Sequence, residues 1–184
     1  QNGRMAGSFG IAGCFSFYPA KILGAFGDAG ALVTNDENMY NYVKDARNHF
    51  KDDARDWGVN SRLDNLQAVI LNIRIKDIHK MLARRQEIAE IYQGGLKDLA
   101  WLKLPPHIEG RVWQDYIVQT EKRDELYQYL KDNGVETLKN NYPFPVPKLP
   151  KAQKYEDETL RLPCNENLTN AEIEEVTNLI KKFQ

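Results

Sequence analysis

The chain has 184 residues, 42% hydrophobic and 28% charged, an ordinary composition for a folded protein of one domain or one and a half. Its formal net charge of −1 supplies no field that would draw nucleic acid or an anionic membrane surface. No apolar run approaches the roughly 18 residues of a membrane span and no signal peptide is visible, so a cytoplasmic protein is expected. The two cysteines, Cys14 and Cys164, read as free thiols in that reducing compartment.

Residues 1–10 are polar and glycine-rich and read as loop. Gly7, Gly10 and Gly13 are three apart, which is not the dinucleotide-binding spacing, and no helix pattern follows. The apolar run Ile11 to Phe17 predicts a strand. Pro19 ends it, because proline biases Tyr18 towards extended backbone and cannot donate to a ladder. The chain then turns and presents Lys21, with Ser16 five positions earlier and glycines at 24, 27 and 30 where backbone must bend or approach closely. A lysine on a tight turn with a hydroxyl nearby suits covalent attachment of an aldehyde cofactor that carries a phosphate.

Ala31 to Thr34 predicts a second strand, and Met39, Tyr42, Val43 and Ala46 give helical spacing from Glu37 to His49. A charged loop follows to residue 60. Ser61 with Asp64 forms a capping-box pattern, predicting a long helix, straight or kinked, from near 62 to about 95, closed by Gly94-Gly95. Beyond the linker at Pro105-Pro106, strands are expected over 112–120, 135–138 and 159–164. Helices are expected from Glu121 to Asn133, stopped by Gly134, and after the Thr169–Glu172 capping box. Residues 139–152 hold four prolines and read as neither regular helix nor central strand. His49, His79 and His107 share no metal-ligand spacing, so no metal is expected.

The segment SFYPAKILGAFGDAGALVTND closely resembles the cofactor-lysine segment of the DegT/StrS family of pyridoxal-phosphate (PLP) nucleotide-sugar aminotransferases. Gly58-Val59-Asn60-Ser61-Arg62-Leu63-Asp64 resembles a second motif of that family, and Arg47-Asn48-His49 a third, except that Phe50 stands where the family has glycine. The resemblance implies an α/β, fold-type-I PLP-dependent transferase. It divides the chain into the end of the large domain (1–62), a long connecting helix (63–98) and a small α+β domain (99–184).

It implies that Lys21 is catalytic and carries the cofactor, and that Ser16 binds the cofactor phosphate. Asn60 would reach the phosphate in the neighbouring subunit of a homodimer. His49, Arg62, Gln114 and Asn141 are candidates for the substrate side. Gln114 and Asn141 occupy places where relatives commonly carry histidine, and for these and His49 an ordinary surface role stays open. The implied partners are a nucleotide-linked keto-sugar and an amino-acid donor, glutamate in most relatives.

The family's aspartate for the cofactor ring would precede Asn2, so the chain looks like the carboxy-terminal half of a longer enzyme, inactive alone. Two alternatives stand beside this reading: a catalytically silent fragment or dimerisation module, and a PLP sugar dehydratase of the same fold. Lys21 speaks against the dehydratase, whose relatives carry histidine there.

Overall fold

A computed structural model describes residues 3–52, 54, 56–139 and 149–183 of the chain. They fall into two compact units, Gln1–His79 and Lys80–Gln184.

In the first unit β1 (Ala12–Ser16) and β2 (Gly30–Thr34) pair antiparallel, with Ala12 opposite Thr34 and Ser16 opposite Gly30. α1 (Glu37–Ala46) begins at Asp36, whose carboxylate accepts from the Met39 N–H at 2.7 Å, satisfying one of the four amides every helix start leaves open. It ends three residues before the expected His49, because His49 and Phe50 adopt left-handed backbone with φ 65° and 49°.

The long helix is built in pieces: α2 (Asn65–Arg74), a 3₁₀ turn (Ile75–Asp77) and α3 (Ile78–Leu96). The Ser61–Asp64 capping box does not form. Asp64 is itself the N-cap and makes no side-chain cap bond, which leaves Ser61 outside the helix. Gly94-Gly95 does not close α3 either, since the helix runs through both to Leu96.

The second unit carries a three-stranded antiparallel sheet in the order β3 (Tyr116–Gln119), β5 (Thr159–Leu162), β4 (Leu138–Lys139). Each strand is shorter than the sequence pattern suggests, because apolar residues flanking a ladder fill the core without pairing. α4 (Arg123–Asp132) is followed by Gly134 at φ 79°. α5 (Pro150–Glu158) is a helix where the proline content of 139–152 predicts none up to residue 152; it starts on a proline, and in a helix's first turn the missing N–H has no partner to lose. α6 (Asn170–Lys182) opens on the expected Thr169–Glu172 capping box, with both reciprocal bonds present. Ile88, Tyr92 and Leu96 on one face of α3 meet Tyr116, Val118 and Leu160 of the sheet and Ile173 and Ile180 of α6 in one core. Fully burying each such aliphatic side chain stabilises the fold by about 1.5–3 kcal/mol.

Gly95 lies in that contact. A Cβ there would clash with Thr177 Cγ2 on α6, so glycine is kept despite costing about 1 kcal/mol against alanine in a helix.

Candidate functional site

The end of β1 flows into a tight, heavily bonded turn. The Phe17 N–H donates to the Ala29 carbonyl at 2.8 Å, extending the β1–β2 pairing one residue beyond Ser16. The Lys21 N–H donates to the Tyr18 carbonyl at 2.8 Å, closing a four-residue turn with Pro19 in second place, where its fixed φ is favoured. The Ala25 N–H returns to the Phe17 carbonyl at 2.8 Å. Gly24 permits this fold-back, for a Cβ would sit 2.5 Å from the Pro19 carbonyl oxygen.

Ile22 and Ala25 point inward and are buried, while Ser16 and Lys21 face outward and are exposed. Ser16 Oγ accepts from the Tyr18 N–H at 3.3 Å, which leaves its own proton to donate. The Lys21 ammonium has no hydrogen-bonding or ion-pair partner among the described residues.

Two side chains of α2 hold the far side of this turn. Gln67 Oε1 accepts from the Phe26 N–H at 2.9 Å, and Arg74 Nη2 donates to the Ile22 carbonyl at 3.3 Å. Neither residue stands out in the sequence. The signal available was two polar residues seven apart, hence on one helix face, flanking the run Ala68 to Leu71.

Asn60 and Arg62 form a second grouping. Asn60 bridges Asn48 in an isolated antiparallel pair, and the Ser61 N–H donates to the Arg47 carbonyl at 2.9 Å. The exposed Arg62 guanidinium donates from Nε to Asn60 Oδ1 at 3.1 Å and from Nη1 to Asn48 Oδ1 at 3.0 Å. His49 is exposed beside them in sequence. Phe50 keeps a left-handed backbone that glycine would adopt freely, and its ring is 2% exposed and packs edge-on to Tyr42 at 5.4 Å. Burial of the ring offsets the strain of the backbone.

Gln114 belongs to the second unit and is half-buried just before β3. Its carbonyl accepts from Arg85 Nη1 at 3.1 Å, together with the carbonyls of Trp113 (3.2 Å) and Cys164 (2.6 Å). Arg85 is buried and pairs with Glu166 through Nε at 3.0 Å and Nη2 at 2.8 Å. A buried guanidinium is tolerated when its donors are met in this way. Trp113 Nε1 also donates to Gln86 Oε1 at 2.8 Å, and the Arg111 guanidinium lies 4.1 Å over the Trp113 ring. Burial pushes the Cys164 thiol up to about 11, so it stays protonated. Asn141 lies outside the described residues. The described residues contain no group of three histidine, cysteine or acidic side chains placed to hold a metal, and no helix long and apolar enough to cross a membrane.

Residues 1–181 match the DegT/DnrJ/EryC1/StrS aminotransferase family. The chain belongs to this family. It is 34% identical over 200 residues to the dTDP-3-amino-3,4,6-trideoxy-alpha-D-glucose transaminase of Streptomyces venezuelae, covering 98% of this chain and 52% of that protein. It is 32% identical over 199 residues to the UDP-N-acetyl-3-dehydro-alpha-D-glucosamine 3-aminotransferase of Acidithiobacillus ferrooxidans, covering 98% of this chain and 53% of that one.

The crystal structure of S. venezuelae DesV in complex with a ketimine intermediate superposes with a TM-score of 0.90 at 34% identity, covering 98% of this chain and 53% of that chain. A DegT/DnrJ/EryC1/StrS aminotransferase from Brucella abortus gives 0.89 at 30% identity, covering 98% and 53%. The α/β fold is thus that of the DegT/DnrJ/EryC1/StrS aminotransferases. The chain spans about half the length of the curated relatives it matches.

For a DegT/DnrJ/EryC1/StrS family member the lysine turn has a chemical reading. An exposed primary amine on a closed turn, and a strand-end hydroxyl with a proton to give, fit an aldehyde that carries a phosphate.

Proposed function

We propose that the chain is the cofactor-lysine half of a PLP-dependent aminotransferase that moves an amino group from an amino acid, glutamate in the first instance, to a keto-sugar linked to a nucleotide. The observation that carries the proposal is the Lys21 turn, an exposed amine on a backbone bonded to the end of β1 on one side and to side chains of α2 on the other. The printed activities of the S. venezuelae and A. ferrooxidans relatives support the nucleotide-sugar substrate class.

Pyridoxal phosphate, when bound, supplies an electron sink for breaking a bond at the substrate carbon. Lys21 Nζ would hold the cofactor through its aldehyde carbon, and as a free amine it would hold and return the proton at the substrate carbon. The Ser16 hydroxyl would donate to the phosphate, a charge-assisted hydrogen bond of the stronger kind. Arg62 occupies Asn60 Oδ1, which leaves Asn60 Nδ2 to donate to the cofactor phosphate of a second subunit in a homodimer. His49, Arg62, Gln114 and Asn141 are assigned to the sugar-nucleotide side.

The test is site mapping. The protein is mixed with pyridoxal phosphate and treated with borohydride, and peptide mass spectrometry locates the fixed label. Label on Lys21 is the expected result; label spread evenly over exposed lysines such as Lys76 and Lys80 would refute it. A dimerisation module without catalysis is the second reading, favoured by the exposed apolar side chains Leu66, Val69 and Ile73 along α2, and it expects that even spread.

A further inference from the structure

We propose that Gln67 and Arg74 are positioning residues for Lys21, setting from α2 where the lysine amine meets the cofactor. The proposal rests on the aminotransferase reading above and adds to it the part of the fold that aims the amine.

The turn is fixed on two sides by different means. Upstream, Lys21 is tied to its own strand through the Tyr18 carbonyl and the β1–β2 pairing. Downstream, the Ala25 N–H returns to the Phe17 carbonyl, and two further bonds come from a helix some forty to fifty residues on. Arg74 takes the carbonyl of Ile22, the residue directly after the lysine, and Gln67 takes the amide of Phe26. The two grips bracket the segment that carries the Lys21 backbone into the buried positions Ile22 and Ala25.

The contact is closely fitted. A Cβ on Gly27 would stand 3.0 Å from Gln67 Nε2, so the side-chain amide lies against the backbone at that point. Phe26 itself is 77% exposed and contributes no burial to hold the loop, so its backbone amide is the handle. A residue that fixes the loop here fixes the direction in which the Lys21 stem leaves it. Effective catalysis and selective attachment both depend on such orientation.

The experiment compares the unaltered chain with Gln67→Leu, Gln67→Glu and Arg74→Met. Two quantities are read: hydrogen exchange of the Phe26 amide, and the share of borohydride-fixed pyridoxal phosphate found on Lys21. Losing one neutral hydrogen bond should speed Phe26 exchange about 3- to 10-fold in Gln67→Leu. It should lower the Lys21 share by a similar factor, of order 3- to 10-fold. Gln67→Glu keeps a side-chain oxygen that accepts from the amide and should restore both readings, which loss of bulk packing alone would not predict. Arg74→Met should lower the Lys21 share while leaving the Gln67–Phe26 bond in place, and it keeps the test decisive should Gln67→Leu fold poorly.

An unaltered Lys21 share in both Gln67→Leu and Arg74→Met would overturn the positioning role and leave the aminotransferase reading standing. A starting chain with no preference for Lys21 would overturn that reading, and this one with it.

Discussion

At the scale of single residues, His49 and Phe50 share one backbone conformation and differ in what their side chains gain from it. Left-handed backbone costs a non-glycine residue about 1–2 kcal/mol. Phe50 recovers this by burying its ring against Tyr42, and truncating a buried phenylalanine typically costs about 3–5 kcal/mol. Phe50→Gly should therefore lower stability by about 2 kcal/mol in denaturant unfolding, the lost ring outweighing the relieved strain.

His49 is exposed and makes no such recovery, so His49→Gly should raise stability by about 1 kcal/mol. If His49 serves the sugar-nucleotide side, the same change should lower amino transfer, and unchanged transfer would return it to an ordinary surface role. The turn that presents Lys21 after the strand ending at Ser16 was legible in the sequence because its pattern is local. The contacts of Gln67, Arg74 and Arg85 were not, because each reaches atoms distant in the chain, which no spacing rule encodes.

At the scale of elements, one capping pattern formed and an equivalent one did not. At Thr169 the chain enters α6 directly and both reciprocal bonds close. At Ser61 the backbone is already committed: Asn60 is bridged to Asn48 and the Ser61 N–H is given to Arg47, so the segment stays extended and α2 waits until residue 65. Local chemistry was legible, and tertiary pairing overrode it.

The Glu172 carboxyl is held below the ordinary glutamate value of 4.5 by the Thr169 backbone amide first and its side chain second. A depressed folded value means the cap's stabilisation is complete above 4.5 and is lost as pH falls through the folded value. Thermal unfolding should show Glu172→Gln less stable than the parent at neutral pH, with the gap closing in acid. A gap independent of pH would contradict this.

Gly95 offers a packing test. In Gly95→Ala the helix-propensity gain of about 1 kcal/mol should lose to overpacking of about 1–3 kcal/mol. Thr177→Ser removes the clashing methyl and keeps the hydroxyl that donates to the Ile173 carbonyl at 2.8 Å, so the double variant should regain the loss. Additive single effects would show that the two helices are not in register at this point.

At the scale of the whole molecule, α2 carries an apolar stripe that this chain leaves uncovered, with Leu66 69% and Ile73 60% exposed. Spacing at 66, 69 and 73 is that of a buried helix face, and such faces mark association surfaces. Self-association at micromolar concentration is expected in sedimentation, with Val69→Glu and Ile73→Glu shifting the species to monomer. A monomeric parent would count against the homodimer. The sequence carried the family because it rests on long motifs. The kinked form of the long helix was one of the two forms the periodicity allowed, and the proline-started α5 was hidden because it turns on one local geometry.

The central claim, that Lys21 drives amino transfer to a nucleotide-linked keto-sugar, is tested most directly by following isotopically labelled nitrogen from glutamate in the full-length protein. The account predicts label in the sugar product and none with Lys21→Ala, the folded state being otherwise retained. Labelled product from Lys21→Ala, or a deoxygenated sugar without nitrogen from the parent, would contradict it.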